Sequence, residues 1–363
     1  MTSPWPGSVP LTLDPLVNDL DLDASIGVRT ATFKFNLIDG SSGENLGEVT
    51  PYVEGATLSH NSASTLKRRL TLQLGVDDTA DINPLTDRIE PFMLIGGVSY
   101  PLGRFMFTDN LQQVSTGGNQ ANVSLVDEMF MIDQALDRSF STKARETAES
   151  AVIRLLQDVA FPIFSSIAPS DFTCTEAAAV GTRRGGILED IARQGDYQSP
   201  WMDNSGKFRM IRTVDASVAT PRFDYDTRHA IYQESVTRTT DILNAPNRFI
   251  VISTGSAAAD NPVVGVYDTP ASAPHSIQSR GFVIPLVSNV QVSSSTQAAA
   301  TARAIGITAT ITEQATFSTP PDPRHDSYDV CIFEGERWME ISWTMSLVEG
   351  GAMNHVLARR YLA

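Results

Sequence analysis

The sequence predicts a mainly β protein in which two small β-barrels flank an α+β middle unit made of helices and a hairpin. Three observations predict this fold: apolar residues recur with a period of two in the first third, with helical spacing in the middle, and in β-rich runs after that. A chain of 363 residues also exceeds what one hydrophobic core normally serves. We therefore expect an extended arm over 1–27, a first β-barrel over 28–140, an α+β unit over 141–225, and a second β-barrel with one inserted helix over 226–363.

Short alternating strands predict the first barrel. The segments "TFKFNL" and "RLTLQLGV" place apolar side chains on one face and polar side chains on the other. In "PFMLIGGVSY", two β-rich runs are joined by Gly96-Gly97, which is a two-residue hairpin signal. Several short strands separated by turn signals are typical of a small barrel or sandwich. The expected inward-facing side chains are Phe33, Phe35, Leu37, Leu70, Leu72 and Leu74.

Two helices and a hairpin are predicted in the middle unit. "ETAESAVIRLLQDVA" has helical spacing, and Thr147 is expected to be its N-cap. A second helix is expected to end at Gly195. Beyond it, "YQSPWM" and "KFRMIRT" are strand-like runs separated by an Asp-Asn-Ser-Gly turn. The buried stripe of the second helix is expected to be Ile187, Leu188, Ile191 and Ala192.

The last third returns to β character in "NRFIVIS", "VVGVYD" and "GFVIPLVSNVQV". Ser294 and Gln297 fit a capping box at the start of an Ala-rich helix. Near the end, "RWMEISWTMSLVEGG" alternates between a face of bulky Met, Ile, Trp and Leu side chains and a mostly polar face that includes Trp338 and Glu340. We expect this strand to bury a single face.

The segment Ser205-Gly206-Lys207 suggests a phosphate-binding loop, but its surroundings do not fit one. Such a loop requires a glycine five positions before the Gly-Lys pair and a Ser or Thr after it. This chain has Trp201 and Phe208 at those positions, and a helix precedes the segment where a strand is required. We therefore expect a β-turn that uses Asn204 and Gly206 for their backbone tolerance.

No pattern predicts a catalytic, cofactor-binding or metal site. The five histidines are far apart in sequence, and the aspartates at 19, 21 and 23 lack the later ligands of a calcium loop. Neither cysteine, Cys174 or Cys331, lies in a known nucleophile or zinc signature. Adjacent acidic pairs at 77–78 and 189–190 are expected to point apart. Residues distant in sequence can still meet in space, so a catalytic cleft stays an open alternative at this stage.

The negative net charge and the lack of targeting patterns limit the partners and locations that the sequence predicts. The chain has a net charge of −15 and a pI of about 4.7. Such an acidic protein repels nucleic acid and anionic lipid, so stable nucleic-acid binding is not expected. The N-terminus lacks the basic and apolar regions of a signal peptide, and no run of about 20 apolar residues predicts a transmembrane segment. We expect synthesis and folding in a reducing cytoplasm.

The order of these modules resembles the tail hub, or baseplate hub, proteins of tailed bacteriophages. The resemblance covers about residues 28–350 and is carried by diffuse patterns. It runs through "DRIEPFMLIGGVSYPLGRFMFTDN", "VSLVDEMFMID", "ILEDIARQGDYQSPWMDNSGKFRMIR", "LNAPNRFIVIS" and "SYDVCIFEGERWMEISWTMSLVEGG". Related hubs include the tail-associated protein of siphophages and the hubs of contractile tails and type VI spikes.

This resemblance implies a structural virion protein and not an enzyme. It implies a homotrimeric ring whose paired barrels give a pseudo-sixfold face. Expected partners are a distal tail ring, the tape measure protein and further tip or receptor-binding proteins. DNA would pass through the ring only in transit, and no cofactor is expected. The expected location is the tail tip of the virion, after assembly in the host cytoplasm.

Three alternatives stay open. One is a distal tail ring protein, another is a virion-borne cell-wall or glycan hydrolase, and the third is a carbohydrate-binding module. Many tail-associated proteins continue into a receptor-binding or wall-degrading extension, whereas this sequence ends at Ala363, just after the second barrel. Cell-wall hydrolysis by this chain is therefore not expected.

Overall fold

The fold was analysed in a computed structural model of the chain. It describes residues 31–359, except for 51–52, 76–81, 109–119, 160–164, 227–232, 241–243, 255–261, 293 and 310–312. The predicted arm, the acidic pair at 77–78 and His229 lie outside the described residues. In the described part, no helix combines the length and apolar character that a membrane span requires.

The first β half is built from short antiparallel strands. The alternation seen in sequence is confirmed, because Leu70, Leu72 and Leu74 are all fully buried. Gly96 and Gly97 both have positive φ and form the predicted hairpin turn. The strands are β1 (Thr32–Asp39), β2 (Asn45–Glu48), β3 (Val53–Asn61), β4 (Arg68–Gly75), β5 (Asp87–Ile95), β6 (Val98–Pro101), β7 (Phe105–Phe107) and β8 (Gln120–Asp127).

The middle unit is α+β, as predicted. The Thr147 side chain caps its first long helix by accepting a hydrogen bond from Ser150 N, and the predicted stripe of the second is buried. This unit has its own apolar core. Its elements are α1 (Met129–Ile132), β9 (Phe140–Ser141), α2 (Ala148–Gln157), β10 (Ser165–Ile167), β11 (Ala177–Ala178), α3 (Arg184–Gln194), β12 (Trp201–Met202) and β13 (Phe208–Met210).

The second β half contains the remaining elements. Its core is aromatic and includes Phe317, Phe333 and Trp338. Its elements are β14 (Phe223–Asp224), β15 (Gln233–Thr240), β16 (Arg248–Ser253), β17 (Val264–Asp268), α4 (Ile277–Arg280), β18 (Pro285–Val290), α5 (Ser295–Ala309), β19 (Glu313–Thr319), β20 (Val330–Phe333), β21 (Glu336–Ser346) and β22 (Met353–Arg359).

Strand β21 joins the two β halves into one sheet. Among the described residues, fourteen strands are hydrogen-bonded together, and the main path runs β15-β19-β22-β21-β3-β4-β8-β7-β5-β1-β2. The antiparallel pairing of β21 with β3, from Ser342 opposite Asn61 to Ser346 opposite Thr57, is the link between the halves. The mainly β fold is therefore confirmed, and its two halves share a continuous backbone ladder.

The prediction that β21 buries a single face is wrong for its first half. Trp338, Met339 and Glu340 are all buried, although consecutive strand residues point to opposite faces. A bulge between Glu340 and Ser342 changes the register with β22. Before the bulge the strand lies inside the second half and is covered on both faces; after it, Trp343 packs in the core of the first half.

The insert in the second half is larger than the single helix that the sequence predicts, because it also contains a sheet. Strands β16, β17 and β18 form a separate three-stranded sheet, and α5 packs on it around Phe249 and Val251. Close approach is possible because β17 has Gly265 where a side chain would overlap the α5 backbone at Ala298. The three β-rich runs are strands, as predicted, but their alternation does not indicate which sheet they join.

Helix α5 connects this insert to the middle unit. Ser294 Oγ accepts the backbone N–H of Gln297, which confirms one half of the predicted capping box. The Gln297 side chain also reaches the middle unit. Its amide donates to the carbonyl of Thr173 (2.8 Å) and approaches that of Gln194 (3.4 Å) in the middle unit. The cap residue therefore serves as an inter-unit contact.

We predict that Gly265→Ala lowers the free energy of unfolding by about 2–3 kcal/mol, because the added methyl group overlaps the α5 backbone. Gly186→Ala in α3 is the matched control. Its added methyl group would face open space, so a change between zero and about 1 kcal/mol of stabilisation is expected. Chemical unfolding of both variants measures the difference. Equal stabilities would contradict the close helix–sheet contact.

Candidate functional site

The Ser205-Gly206-Lys207 segment forms the predicted turn between β12 and β13, and its amides are already occupied. The Asp203 carboxylate accepts the backbone N–H groups of Ser205 (2.8 Å) and Lys207 (2.9 Å), and Gly206 has a φ of 74°. A carboxylate therefore fills the position that a phosphate would need. The turn is not a nucleotide site.

The same turn lies at the junction of the three units. Asn204 Nδ2 donates to the carbonyls of Pro323 (3.0 Å) and His325 (3.1 Å) in the second half, and its Oδ1 accepts from Arg68 Nη1 of the first half. The Arg68 guanidinium is fully buried and pairs with Asp326 at 2.6 Å. Trp201 Nε1 also donates to Asp326, at 2.9 Å. One buried cation thus connects all three units.

Three residues that follow one another at intervals of fifteen positions in the sequence meet near this junction. His325 follows β19, Glu340 lies on β21 and His355 lies on β22, and all three are buried. The Nδ1 atoms of the two imidazoles lie 2.6 Å and 2.5 Å from the two oxygens of Glu340. We call these three residues the His-Glu-His cluster.

Aromatic rings and hydroxyl groups hold both imidazoles in place. Phe223 stacks on His325 with ring centroids 3.9 Å apart, and Phe317 stacks on His355 at 4.9 Å. On the far side of each imidazole, Nε2 of His325 is 3.2 Å from the Tyr225 hydroxyl, and Nε2 of His355 is 2.7 Å from Thr319 Oγ1. Every imidazole nitrogen of the cluster therefore has a polar partner.

The cluster shifts the pKa of each of its members. Burial raises the pKa of Glu340, but the two imidazoles outweigh burial and bring that pKa down to about 2. Burial lowers the pKa of His325, but the charge of Glu340 and its hydrogen bond outweigh burial and raise the pKa overall. For His355 burial dominates, so its pKa is lowered. Glu340 is thus ionised, and the pKa of His325 lies above that of His355.

Sequence spacing missed this cluster because its members belong to three different elements. Glu340 was assigned to the polar face of β21, and the bulge that buries it leaves no sequence signature. The nearby His60 is also buried, but it stacks on Trp343 and bonds Ser327 Oγ at 2.7 Å, outside the cluster. His275 is buried in the insert.

Other groups that could act as nucleophiles or bases have structural roles. Lys67 Nζ donates to Ser199 Oγ (2.9 Å), which resembles a Ser-Lys dyad, and burial lowers the Lys67 pKa to about 8. However, Lys67 also donates to the carbonyls of Ser62 and Ser64, so its three protons are all used. Burial raises the pKa of Cys174 to about 12, which suppresses the reactive thiolate.

The acidic pair at 189–190 points apart, as predicted. Glu189 accepts a hydrogen bond from the Ser199 hydroxyl inside the molecule. Asp190 faces outward and pairs with Arg193 one helical turn later. The two carboxylates therefore do not form an acid/base couple.

The architecture matches solved phage tail proteins at low sequence identity. The 43 kDa tail protein of prophage MuSo2 from Shewanella oneidensis has a TM-score of 0.58 at 13% identity, with 90% of this chain and 98% of that chain covered. A tail protein from Neisseria meningitidis has 0.58 at 11%, with 91% and 98% covered. Prophage tail protein gp18 from Listeria monocytogenes has 0.60 at 9%, with 91% and 95% covered. No protein-family model and no curated protein matches the sequence.

The fold is therefore that of β-rich phage tail components. More particularly, it is the fold of prophage tail proteins. The resemblance to phage tail proteins is confirmed at the level of fold.

We predict that Asp326→Asn destabilises the protein by about 3–5 kcal/mol, because it leaves the buried Arg68 guanidinium without its carboxylate. Asp190→Asn is the control, since it removes one partner of an exposed ion pair with Arg193 and should cost at most about 1 kcal/mol. Urea unfolding of both variants tests this. A cost for Asp326→Asn as small as the control would mean that Arg68 does not join the units.

Asp127 gives a pH-dependent prediction. Burial raises its pKa from 3.8 to about 6, although its carboxylate accepts the backbone N–H groups of Arg68 and Met129. The folded pKa lies above the unfolded one, so this contribution to stability is full below pH 3.8 and is lost as the pH rises through about 6.

Relative to Asp127→Asn, wild-type protein should therefore lose up to about 3 kcal/mol of stability between pH 4 and pH 7. Urea unfolding across this range measures the difference, with Asp137→Asn at an exposed position as the control. If the wild-type and Asp127→Asn curves run parallel, the buried carboxylate does not titrate in this window.

Proposed function

We propose that the chain is a structural virion protein that forms a trimeric hub at the tail tip. In this role three chains would adapt a sixfold tail to a threefold tip and enclose the channel through which DNA leaves. The observation that carries the proposal is the pairing of β21 with β3 in a phage tail fold. Because two β halves are fixed in one sheet, three chains would present six β units around an axis.

The domain organisation follows from the same proposal. The strands β1 to β8 and the elements from β14 onward would supply the two β units of each chain, and the middle unit from α1 to β13 would lie beside them. The expected boundaries at 140 and 225 thereby move to about 128 and 222, because Phe140 packs in the core of the middle unit and Phe223 in that of the second half. The insert formed by β16, β17, β18 and α5 would project from the second β unit.

The charge of the chain supports a conduit and not a nucleic-acid binder. With a net charge of −15, a ring of three copies repels phosphate, so DNA could pass without adhering to the wall. Proposed partners are a distal tail ring, the tape measure protein and further tip or receptor-binding proteins. The proposed location is the virion tail tip, reached by assembly in the host cytoplasm.

A structural role is favoured over a hydrolase by how the reactive groups are used. The Lys67 ammonium is tied by three hydrogen bonds, and both cysteine thiols are buried with raised pKa. The carboxylate of Glu340 is held between two imidazoles and away from solvent. Each group is engaged in holding elements together, which is the role expected of a hub.

The proposal predicts a ring-shaped particle with the mass of three 39.4 kDa chains. Native mass spectrometry and electron microscopy of the purified protein, alone and with its distal tail ring, should show threefold particles with six similar lobes. A hexamer would instead support a distal tail ring protein. Cleavage of cell-wall material by a non-trimeric protein would support the hydrolase alternative and reject the hub.

A further inference from the structure

Four potential donor atoms face one another inside the His-Glu-His cluster. They are the Nδ1 atoms of His325 and His355 and both carboxylate oxygens of Glu340, each oxygen being paired with one imidazole. Taking one ligand atom from each residue, all separations lie within 4.8 Å. Two imidazoles and a bidentate carboxylate make a four-donor set around a common centre.

One hydrogen-bond arrangement of the outer nitrogens leaves a donor lone pair in this centre. The Thr319 hydroxyl has a single proton and lies 3.0 Å from the Pro320 carbonyl, to which it can donate. Thr319 then accepts from Nε2–H of His355 at 2.7 Å. In a neutral His355 this arrangement leaves Nδ1 unprotonated, 2.5 Å from a Glu340 oxygen. Without a metal ion, the other tautomer relieves this contact between lone pairs, because Thr319 then donates to Nε2 and Nδ1–H of His355 donates to Glu340. A metal ion in the centre would select the form with the proton on Nε2.

This arrangement is the one that metal-bound histidines usually have. A ligating imidazole normally donates its second N–H to an oxygen atom, which fixes its tautomer and orientation. Thr319 provides such an oxygen for His355, and the Tyr225 hydroxyl lies 3.2 Å from the equivalent nitrogen of His325. The stacked rings of Phe223 and Phe317 hold both imidazoles in their planes. The donors are thus positioned by a second layer of contacts.

We propose that His325, Glu340 and His355 form a structural zinc site in the second β half. Imidazole and carboxylate donors in a closed site suit Zn²⁺, whereas Ca²⁺ and Mg²⁺ prefer oxygen ligands alone. The metal would replace the proton shared by the imidazoles and Glu340, and that proton would be released to solvent. With bonds of about 2.0–2.2 Å, neighbouring donors lie roughly 3.4 Å apart, so each short N–O contact would open by about 0.8 Å.

Such an ion would fix three chain segments to one another. His325 belongs to the segment that also contains Asp326 of the three-unit junction, while Glu340 and His355 lie on the neighbouring strands β21 and β22. Zinc binding would therefore stabilise the strand pair that carries the link to the first half. The sequence predicts no metal site because the three ligands lie far apart along the chain.

The test begins with wild-type protein that is unfolded with a chelator, refolded with a small excess of zinc chloride and desalted. Elemental analysis should find one zinc ion per chain, with a rise in melting temperature of roughly 3–6 °C when zinc is near a hundred times its Kd. Cobalt(II) should replace zinc and give the visible absorption of a four-coordinate ion. Protein isolated from zinc-supplemented cells provides the same measurement without refolding.

Two variants separate this site from adventitious binding. Glu340→Gln should abolish zinc retention and cobalt absorption, whereas His60→Gln should keep one zinc ion per chain, because His60 is an equally buried histidine outside the donor set. Folded wild-type protein that retains no zinc and shows no cobalt spectrum would overturn the proposal. Equal zinc retention by wild type and Glu340→Gln would overturn it as well.

Discussion

The structure depends on strand β21, because it belongs to two hydrophobic cores at once. Its first residues, including Trp338, pack among the aromatic side chains of the second half. Its last residues, Trp343 and Met345, complete the core of the first half and pair with β3. Neither half can therefore move away from the other without exposing part of its own core. The bulge after Glu340 allows this division, since it changes the register at the point where the strand passes from one core to the other.

Several buried polar groups lie where units meet, and their placement has a physical consequence. An apolar contact tolerates sliding, whereas a buried charge that loses its partner is costly. Arg68, with its carboxylate partner and Asn204, thus defines how the three units fit together. Gln297 has the same role for the insert, because its amide bonds backbone carbonyls of the middle unit. A few polar contacts within larger apolar surfaces therefore determine how the units are oriented relative to one another.

The sequence predicted the local structure well because local signals have local causes. Thr147, Gly96 and Gly97 determine a cap and a turn by their own chemistry, and alternating leucines determine which strand face is buried. The long-range outcomes had no such signal. Whether β16 joins the large sheet or a separate one depends on the helix that covers it. The His-Glu-His cluster likewise requires a bulge and two strand pairings, none of which can be read from residue spacing.

The pairing of β21 with β3 also has a mechanical consequence. Five residue pairs, from Ser342–Asn61 to Ser346–Thr57, connect the halves side by side along the strand direction. Inter-strand hydrogen bonds lie across the strands, so a pull along the strands loads all of these bonds together in shear. Opening them one after another would require a force perpendicular to the strands. A protein built this way resists tension along these strands better than it resists sideways peeling.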